Sequence, residues 1–376
     1  MLKLFTKIFI MILAAIIFIS PASAKESSWQ PEIKIGILSG VNRVELQFSA
    51  PCVMVDVATK KTLKKISADK NFSVSLSDLK NNSIEIRGEK VKLQNLICTI
   101  NGKKYFGGVR LDKKNNSLTV INIAPIEEYL RGVVPIEMSP SFHVEALKAQ
   151  VVAARSYTLK NRNRHSADGY ELCASNHCQF YGGVDSASPV TDKIISETRG
   201  TVLFHGGKIV DTNFHTDSGG MTESVAEVWG TAAPHLQPVE ELEKHTQAWK
   251  LEFAVNDFSS RFGGSFGKLK SIKLSPLKIG KSAADRSTSG RVKTAQIVGS
   301  KKTLQVTGNE LRSKFSLPST LFDMKISGGN VIFEGYGRGH GVGMSQYGAN
   351  AYAKNGWDYE KILKHYYRGT NLKKLY

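Results

Sequence analysis

The stretch YLRGVVPIEMSPSFHVEALKAQVVAARSYTL, Tyr129 to Leu159, joins an apolar run, a proline-bounded loop with one carboxylate, Glu137, and a long helix-forming segment. Ser139, Pro140 and Ser141 predict the helix start, because serine caps free N–H groups and proline fits a first turn. Glu145 then falls in the first turn, where the helix dipole favours an acid. Val144, Leu147, Val151 and Ala154 recur at three- and four-residue steps and predict one buried stripe. Lys148, Val152 and Arg155 form a second line, with the two cations roughly 10 Å apart along the axis, about the length of two sugar rings. By spacing alone, Glu137 reads equally as a surface residue or a helix-end charge.

Working outward, Met1 to Ala24 has the layout of an export signal: Lys3 and Lys7, an apolar run from Ile8 to Ile19, Pro21, then Ala22-Ser23-Ala24. The run falls short of the about 17 residues a membrane span needs, with an uncleaved anchor as the alternative. Removing 24 of 376 residues leaves 352, and loss of two lysines takes the formal charge from +18 to +16. Such an excess fits an acidic partner. Export argues against nucleic acid and for anionic wall polymers or lipid head groups, while lysines scattered for solubility are the plainer reading.

Residues 33 to 123 alternate short β-rich runs with turn signals: IKIGIL, RVELQFS, CVMVDV, FSVSL, SIEIRG, YFGGVRL and SLTVINI, punctuated by Asn81-Asn82, Asn101-Gly102 and Asn115-Asn116. They predict an antiparallel β platform that enters the Tyr129–Leu159 stretch without a linker. The expected fold class is α+β, a β-rich part over about 33–123 and a core over about 124–376 within one domain, residues 25–376. Cys52 and Cys98 lie in this β text, as two buried thiols or as a staple between strands.

After the helix, His165, Cys173, His177 and Cys178 place two imidazoles and two thiols within fourteen residues. Such a set closes a tetrahedral zinc site, although the spacing is not that of a standard finger. A Cys173–Cys178 disulfide is the alternative that an oxidising compartment favours. Further on, FHTDSGG carries Asp217 and Ser218 in a tetrapeptide like that around a serine-protease nucleophile. A triad needs a distant base, and His215 is too near in sequence to serve.

The last motif is GYGRGHGVGMSQYGANAYAKNG, Gly335 to Gly356, with five glycines in nine residues around His340. Its glycines fail the dinucleotide pattern, since Val342 or Met344 falls where the third glycine belongs. No organic cofactor is expected. Met344 to Lys354 reads as a helix with Ser345, Gln346 and Tyr347 in its first turn, and YEKILKHYYRGTNL as a closing amphipathic helix ended by Gly369. By itself the motif is a tight loop capped by a helix, with a structural His340.

Together the three motifs resemble the SpoIID/LytB family, the stage II sporulation protein D domain, from about residue 33 to the end. In that family a Glu after a Val-Pro pair precedes an EALKAQ-type helix ending in Ala-Ala-Arg. The resemblance implies a β-rich platform, a core helix and C-terminal helices whose walls enclose a glycan-binding cleft. It makes Glu137 the catalytic acid of a peptidoglycan lytic transglycosylase, and Asp217, Ser218, His340, Ser345, Gln346 and Tyr347 cleft residues. It also implies a structural zinc on the His-Cys-His-Cys set. The family's sporulation members look membrane-anchored, so the export signal is a departure.

In that reaction one acid protonates the bridging oxygen, an oxocarbenium-like centre forms, and the sugar's 6-hydroxyl closes an anhydro ring while the same residue takes its proton. Hydrolysis would need a second carboxylate about 5 to 9.5 Å away, for which Asp217, Glu223 and Glu227 are candidates. Lys148 and Arg155 are expected to bind lactyl carboxylates or to orient Glu137. Some relatives look like enhancers of a wall amidase, which makes a non-catalytic glycan-binding module the rival expectation.

Overall fold

Alternating apolar residues over the first third of the chain form ten strands: β1 Glu32–Val41, β2 Arg43–Phe48, β3 Cys52–Asp56, β4 Thr62–Ile66, β5 Phe72–Ser75, β6 Ser83–Gly88, β7 Ile97–Ile100, β8 Lys103–Phe106, β9 Gly108–Lys114 and β10 Ser117–Pro125. The structure is a computed structural model that describes residues 29–79 and 83–376. The export-type leader and the Asn81-Asn82 turn lie outside those residues. Among the described residues no helix is long and apolar enough to cross a membrane.

With β11, Leu172–Cys173, the strands make a seven-stranded sheet, β11-β1-β10-β9-β6-β3-β4, and a four-stranded sheet, β5-β2-β7-β8. Within β1 to β10 every pairing is antiparallel, as the turn signals require; β11 joins β1 in parallel. Strand β10 is buried along nearly its whole length, since β1 and β9 flank it and β8 packs against it. Cys52 and Cys98 are both buried and free. Mixed α and β structure thus matches the expected class.

Three helices leave β10 without a linker: α1 Ile126–Arg131, α2 Val134–Glu137 and α3 Val144–Lys160. The start of α3 differs from the Ser139–Ser141 expectation. Ser139 spends its hydroxyl on the Ser141 N–H, Phe142 packs its ring 5.2 Å from that of Tyr347, and His143 caps the helix through Nδ1 to the Glu145 N–H at 3.3 Å. Of the predicted stripe Leu147, Val151 and Ala154 are buried and Val144 is exposed, but burial is not confined to it, because α3 is buried on all sides from Ala146 to Thr158 apart from Lys148. Helices Gln346–Lys354 and Tyr359–Tyr366, α4 Pro189–Glu197 and strand Thr201–His205 surround it. The alanines at 146, 149, 153 and 154 leave room for such close approach.

A second hydrophobic cluster occupies residues 249–335, where two three-stranded sheets close over Phe258, Phe266, Phe315, Phe322 and Phe333. Phe258 and Phe315 stack at 4.7 Å between centroids. Two distant segments then return to the first core. Strand Phe214–His215 pairs in parallel with Met344–Ser345, so the FHTDSGG and Gly-rich motifs lie side by side.

Candidate functional site

Glu137 ends α2, whose Pro135 sits in the first turn where its missing N–H costs nothing. Its carboxylate Oε1 accepts one hydrogen bond, from the Phe180 N–H at 2.8 Å, and no described cation pairs with it. Burial pushes its pKa up, and the Phe180 N–H only partly opposes that shift.

The carboxyl lines a cavity of about 450 Å³ shared with Arg164, Phe180, Asp211, Trp229 and His340. Trp229 and Phe180 keep about half their surface exposed, at 50% and 45%. The Trp229 ring lies 5.0 Å from that of His340, which is held neutral because burial lowers its pKa to about 4, helped by Arg312 and Arg291. His340 Nδ1 accepts the Val342 N–H at 3.0 Å. The glycines beside it are obligatory: Gly343 has φ +72°, and a Cβ there would meet the Asn213 carbonyl oxygen at 2.0 Å.

Two of the four predicted metal ligands, His177 and Cys178, line this cavity, and the other two lie beside them. His165, Cys173, His177 and Cys178 bring one donor atom each to within 4.8 Å of one another. His165 Nε2 lies 3.2 Å from His177 Nδ1, and each sulfur lies 3.7 Å from that nitrogen. A tetrahedron with Zn–N of about 2.0–2.1 Å and Zn–S of about 2.3 Å has edges of about 3.3–3.8 Å, which the three distances to His177 Nδ1 approach. The whole set, spread over no more than 4.8 Å, would close on that ion with small side-chain shifts. Asp168 Oδ2 fixes the His165 ring through Nδ1 at 3.0 Å, the usual support for a ligating imidazole. Burial would raise the Cys173 pKa, yet Ser175, His177 and Cys178 together bring it down to about 6. The two cysteines are free thiols rather than a disulfide.

With this geometry the relatives can be weighed. The family model described as "Stage II sporulation protein" matches residues 114–205, which hold Glu137 and all four sulfur and imidazole donors. Stage II sporulation protein D of Bacillus subtilis is 32% identical over 266 residues, covering 66% of this chain and 74% of that protein. The chain belongs to the stage II sporulation protein D family. An uncharacterized protein of Brachyspira hyodysenteriae is 32% identical over 73% of each chain. The amidase enhancer of B. subtilis is 31% identical over 77% of this chain, which spans only 47% of that relative. A domain of unknown function (DUF8618) matches residues 225–343, the part that includes the phenylalanine-rich cluster.

Several expected site residues lie elsewhere. Arg155 is fully buried and spans Glu127 with bonds of 3.0 and 2.6 Å, so it is a core ion pair with no path to a glycan. Lys148 is held by Glu145 at 3.0 Å and Glu197 at 3.6 Å, and it lines neither the Glu137 cavity nor the one described next. Gln346 turns inward to Gln150 Oε1 at 3.4 Å. Asp217, Ser218, Ser345 and Tyr347 do come together, but around a second cavity of about 450 Å³ with Glu241. The Ser218 hydroxyl donates to Glu241 at 3.1 Å rather than to an imidazole, so no protease triad forms.

The proposed second carboxylates fail likewise. Glu223 is buried beneath the Ser287 and Ser289 hydroxyls, and Glu227 pairs with Lys293 at 3.4 Å. Asp211, unnoticed in the sequence, is the other carboxylate lining the Glu137 cavity. It stands at the end of the TVLFHGGKIVD run, a strand-end position that is the one signal it offered. Arg164 and Trp229 were missed because neither sits in a motif.

Proposed function

We propose that this chain is an exported peptidoglycan lytic transglycosylase with Glu137 as its acid/base. The observation that carries the reading is a carboxyl with one backbone donor and no cation, pushed toward its neutral form, in a cavity faced by exposed aromatic rings. Neutral Glu137 donates its proton to the bridging oxygen between muramyl and glucosaminyl units. The resulting carboxylate takes the proton of the muramyl 6-hydroxyl as that oxygen closes the anhydro ring. The cleavage therefore needs no water and no second carboxylate. Trp229 and Phe180 offer apolar faces to sugar rings, and Arg164 offers the lactyl carboxylate a cation.

His165, Cys173, His177 and Cys178 would hold a structural zinc ion, which supplies four bonds that fix the loop and takes no part in the chemistry. That loop carries Phe180, two residues past Cys178, so it sets the one hydrogen bond to Glu137. Purified protein is expected to contain about one equivalent of zinc. Cys173→Ser should lose it and melt several degrees lower; metal-free wild type of equal stability would refute the assignment.

Mass spectrometry of purified glycan strands tests the activity. Wild type should yield anhydromuramyl ends, and Glu137→Gln should reduce them by about 10²- to 10⁴-fold or more. Because the first step uses the protonated carboxyl, activity should be present below the raised Glu137 pKa and fall as pH rises through it. Reducing ends instead would indicate hydrolysis and direct attention to Asp211. The relative named amidase enhancer supports a second reading, a glycan-binding module that raises a wall amidase's activity. That reading holds if wild type cuts nothing and Glu137→Gln still enhances the amidase.

A further inference from the structure

The second cavity inverts the charge of the chain that contains it. Lys and Arg outnumber Asp and Glu by 51 to 33 overall, yet Asp217, Glu241 and Glu243 line this cavity against one cation, Lys354. Asp217 is 3% exposed; its Oδ1 accepts the Thr246 hydroxyl and the Gly219 N–H, both at 2.7 Å, and its other oxygen accepts no hydrogen bond from the described residues. Glu241 by contrast has both oxygens engaged, by the Ser218 hydroxyl at 3.1 Å and the Tyr366 hydroxyl at 2.8 Å. Gln247 also lines the space, and its side-chain amide makes no hydrogen bond among the described residues. A carboxylate oxygen that a buried residue leaves without a protein donor, on the wall of a polar cavity, is a site for a cationic donor.

This cavity and the Glu137 cavity are linked through the loop 138–143. The Phe142 ring packs on Tyr347, and the His143 N–H donates to Asn350 Oδ1 at 2.8 Å; Tyr347 and Asn350 both line the second cavity. On that arrangement, a wall polymer whose glycosidic bond lies at Glu137 would reach the second cavity by crossing this loop. We propose that the cavity at Asp217 binds a primary ammonium group of peptidoglycan, donated to Asp217 Oδ2 and the acceptors of Glu243 and Gln247. This rests on the reading of the chain as a peptidoglycan-acting protein. Peptidoglycan carries such a group in two places, the side-chain amine of a stem-peptide diamino acid and the amine of a de-N-acetylated glucosamine. An ammonium offers three hydrogens, which matches three acceptors.

Calorimetric titration of the full chain tests the proposal with two matched pairs. One pair is a muramyl tetrapeptide with a free diamino-acid amine and the same peptide acetylated at that amine; the other is a glucosamine trisaccharide and its N-acetylated form. The free amine of one pair should bind about tenfold tighter or more, as for a charge-assisted hydrogen bond gained. Asp217→Asn and the exposed-site variant Glu243→Gln should each shrink that preference while leaving the acetylated member unchanged. Preference within the peptide pair assigns the stem peptide, and within the glycan pair the de-N-acetylated strand. Equal binding in both pairs by wild type overturns the proposal, whether or not Asp217→Asn folds, as does a preference that survives both substitutions. Anhydro-end formation is scored separately: products without amine preference sink this proposal alone, and amine preference without products sinks the catalytic reading alone.

Discussion

Glu127 and Glu137 lie ten residues apart, one at the start of α1 and one at the end of α2, and the protein treats them in opposite ways. Glu127 receives the Arg155 guanidinium through two bonds, with the Gly200 N–H and the Tyr376 hydroxyl added at 3.2 and 2.6 Å. Glu137 receives the Phe180 N–H alone. A paired and saturated carboxylate braces α3 against α1 and the chain's last residue. The one left with a single neutral donor is pushed by burial toward the protonated form that an acid catalyst needs. The difference teaches that the fold neutralises one carboxylate of this segment and leaves the other available for the acid/base role proposed for it.

The largest effect expected of this contrast is on stability. Arg155→Met should strip Glu127 of its cation inside the core and destabilise by about 3–5 kcal/mol, since an uncompensated buried charge remains. Glu137→Gln removes no ion pair and should unfold at a urea concentration equal to or above that of wild type. Urea titrations of the two variants break the comparison if Arg155→Met is as stable as wild type, or if Glu137→Gln is as damaged as Arg155→Met is expected to be.

Spacing alone left Glu137 a surface or helix-end residue, and only the family resemblance singled it out, whereas the candidate metal set was legible because two imidazoles and two thiols fall within fourteen residues. Arg155 was misread for a physical reason. Helical spacing puts it in line with Lys148, but its partner Glu127 lies 28 residues away and the surrounding alanines mark no wet face. Strand β4 escaped because four of its five residues are exposed, which leaves no alternation to see. Asp217 and Ser345 were rightly grouped, since the pairing of Phe214–His215 with Met344–Ser345 joins their motifs. They line a cavity other than that of Glu137. Asp211, Arg164 and Trp229 meet only through tertiary packing, which no local pattern announces.

Glu241 extends the comparison to a third carboxylate, saturated by hydroxyl donors yet without a paired cation. Burial and the charge of Asp217 raise its pKa from 4.5 to about 7 despite those hydroxyls. A carboxyl whose folded pKa is raised contributes stability that is fully present below the unfolded value and is lost as pH rises through the folded one. Stability of wild type relative to Glu241→Gln should therefore fall between about pH 4.5 and 7, by about 3 kcal/mol in all. Urea midpoints for the two proteins at half-unit pH intervals check this. A gap that does not change with pH would mean that Glu241 is accommodated as a charged group, and that hydroxyl donors substitute for a cation.

The smallest effect is expected at Lys148, and it is the sharpest test of the rule that paired charges are structural. Lys148 bridges Glu145 and Glu197 with its side chain partly exposed, an arrangement worth under about 1 kcal/mol because water screens the pair and the side chain must be ordered. Lys148→Ala should therefore cost little stability, since the main bond lost joins neighbours one helical turn apart. It should also leave the affinity for glycan fragments unchanged, because the ammonium lines neither cavity. Arg164→Ala is the matched control: Arg164 lines the Glu137 cavity and, among the described residues, its guanidinium bonds only the Tyr157 hydroxyl and His177 Nε2, at 3.1 and 3.4 Å, so its loss should weaken glycan binding severalfold. Fluorescence titration with a muramyl-containing trisaccharide compares the two. If Lys148→Ala weakens binding as much as Arg164→Ala while both remain folded, a cation already held by two carboxylates is acting on the ligand. Pairing would then no longer separate structural charges from functional ones in this protein.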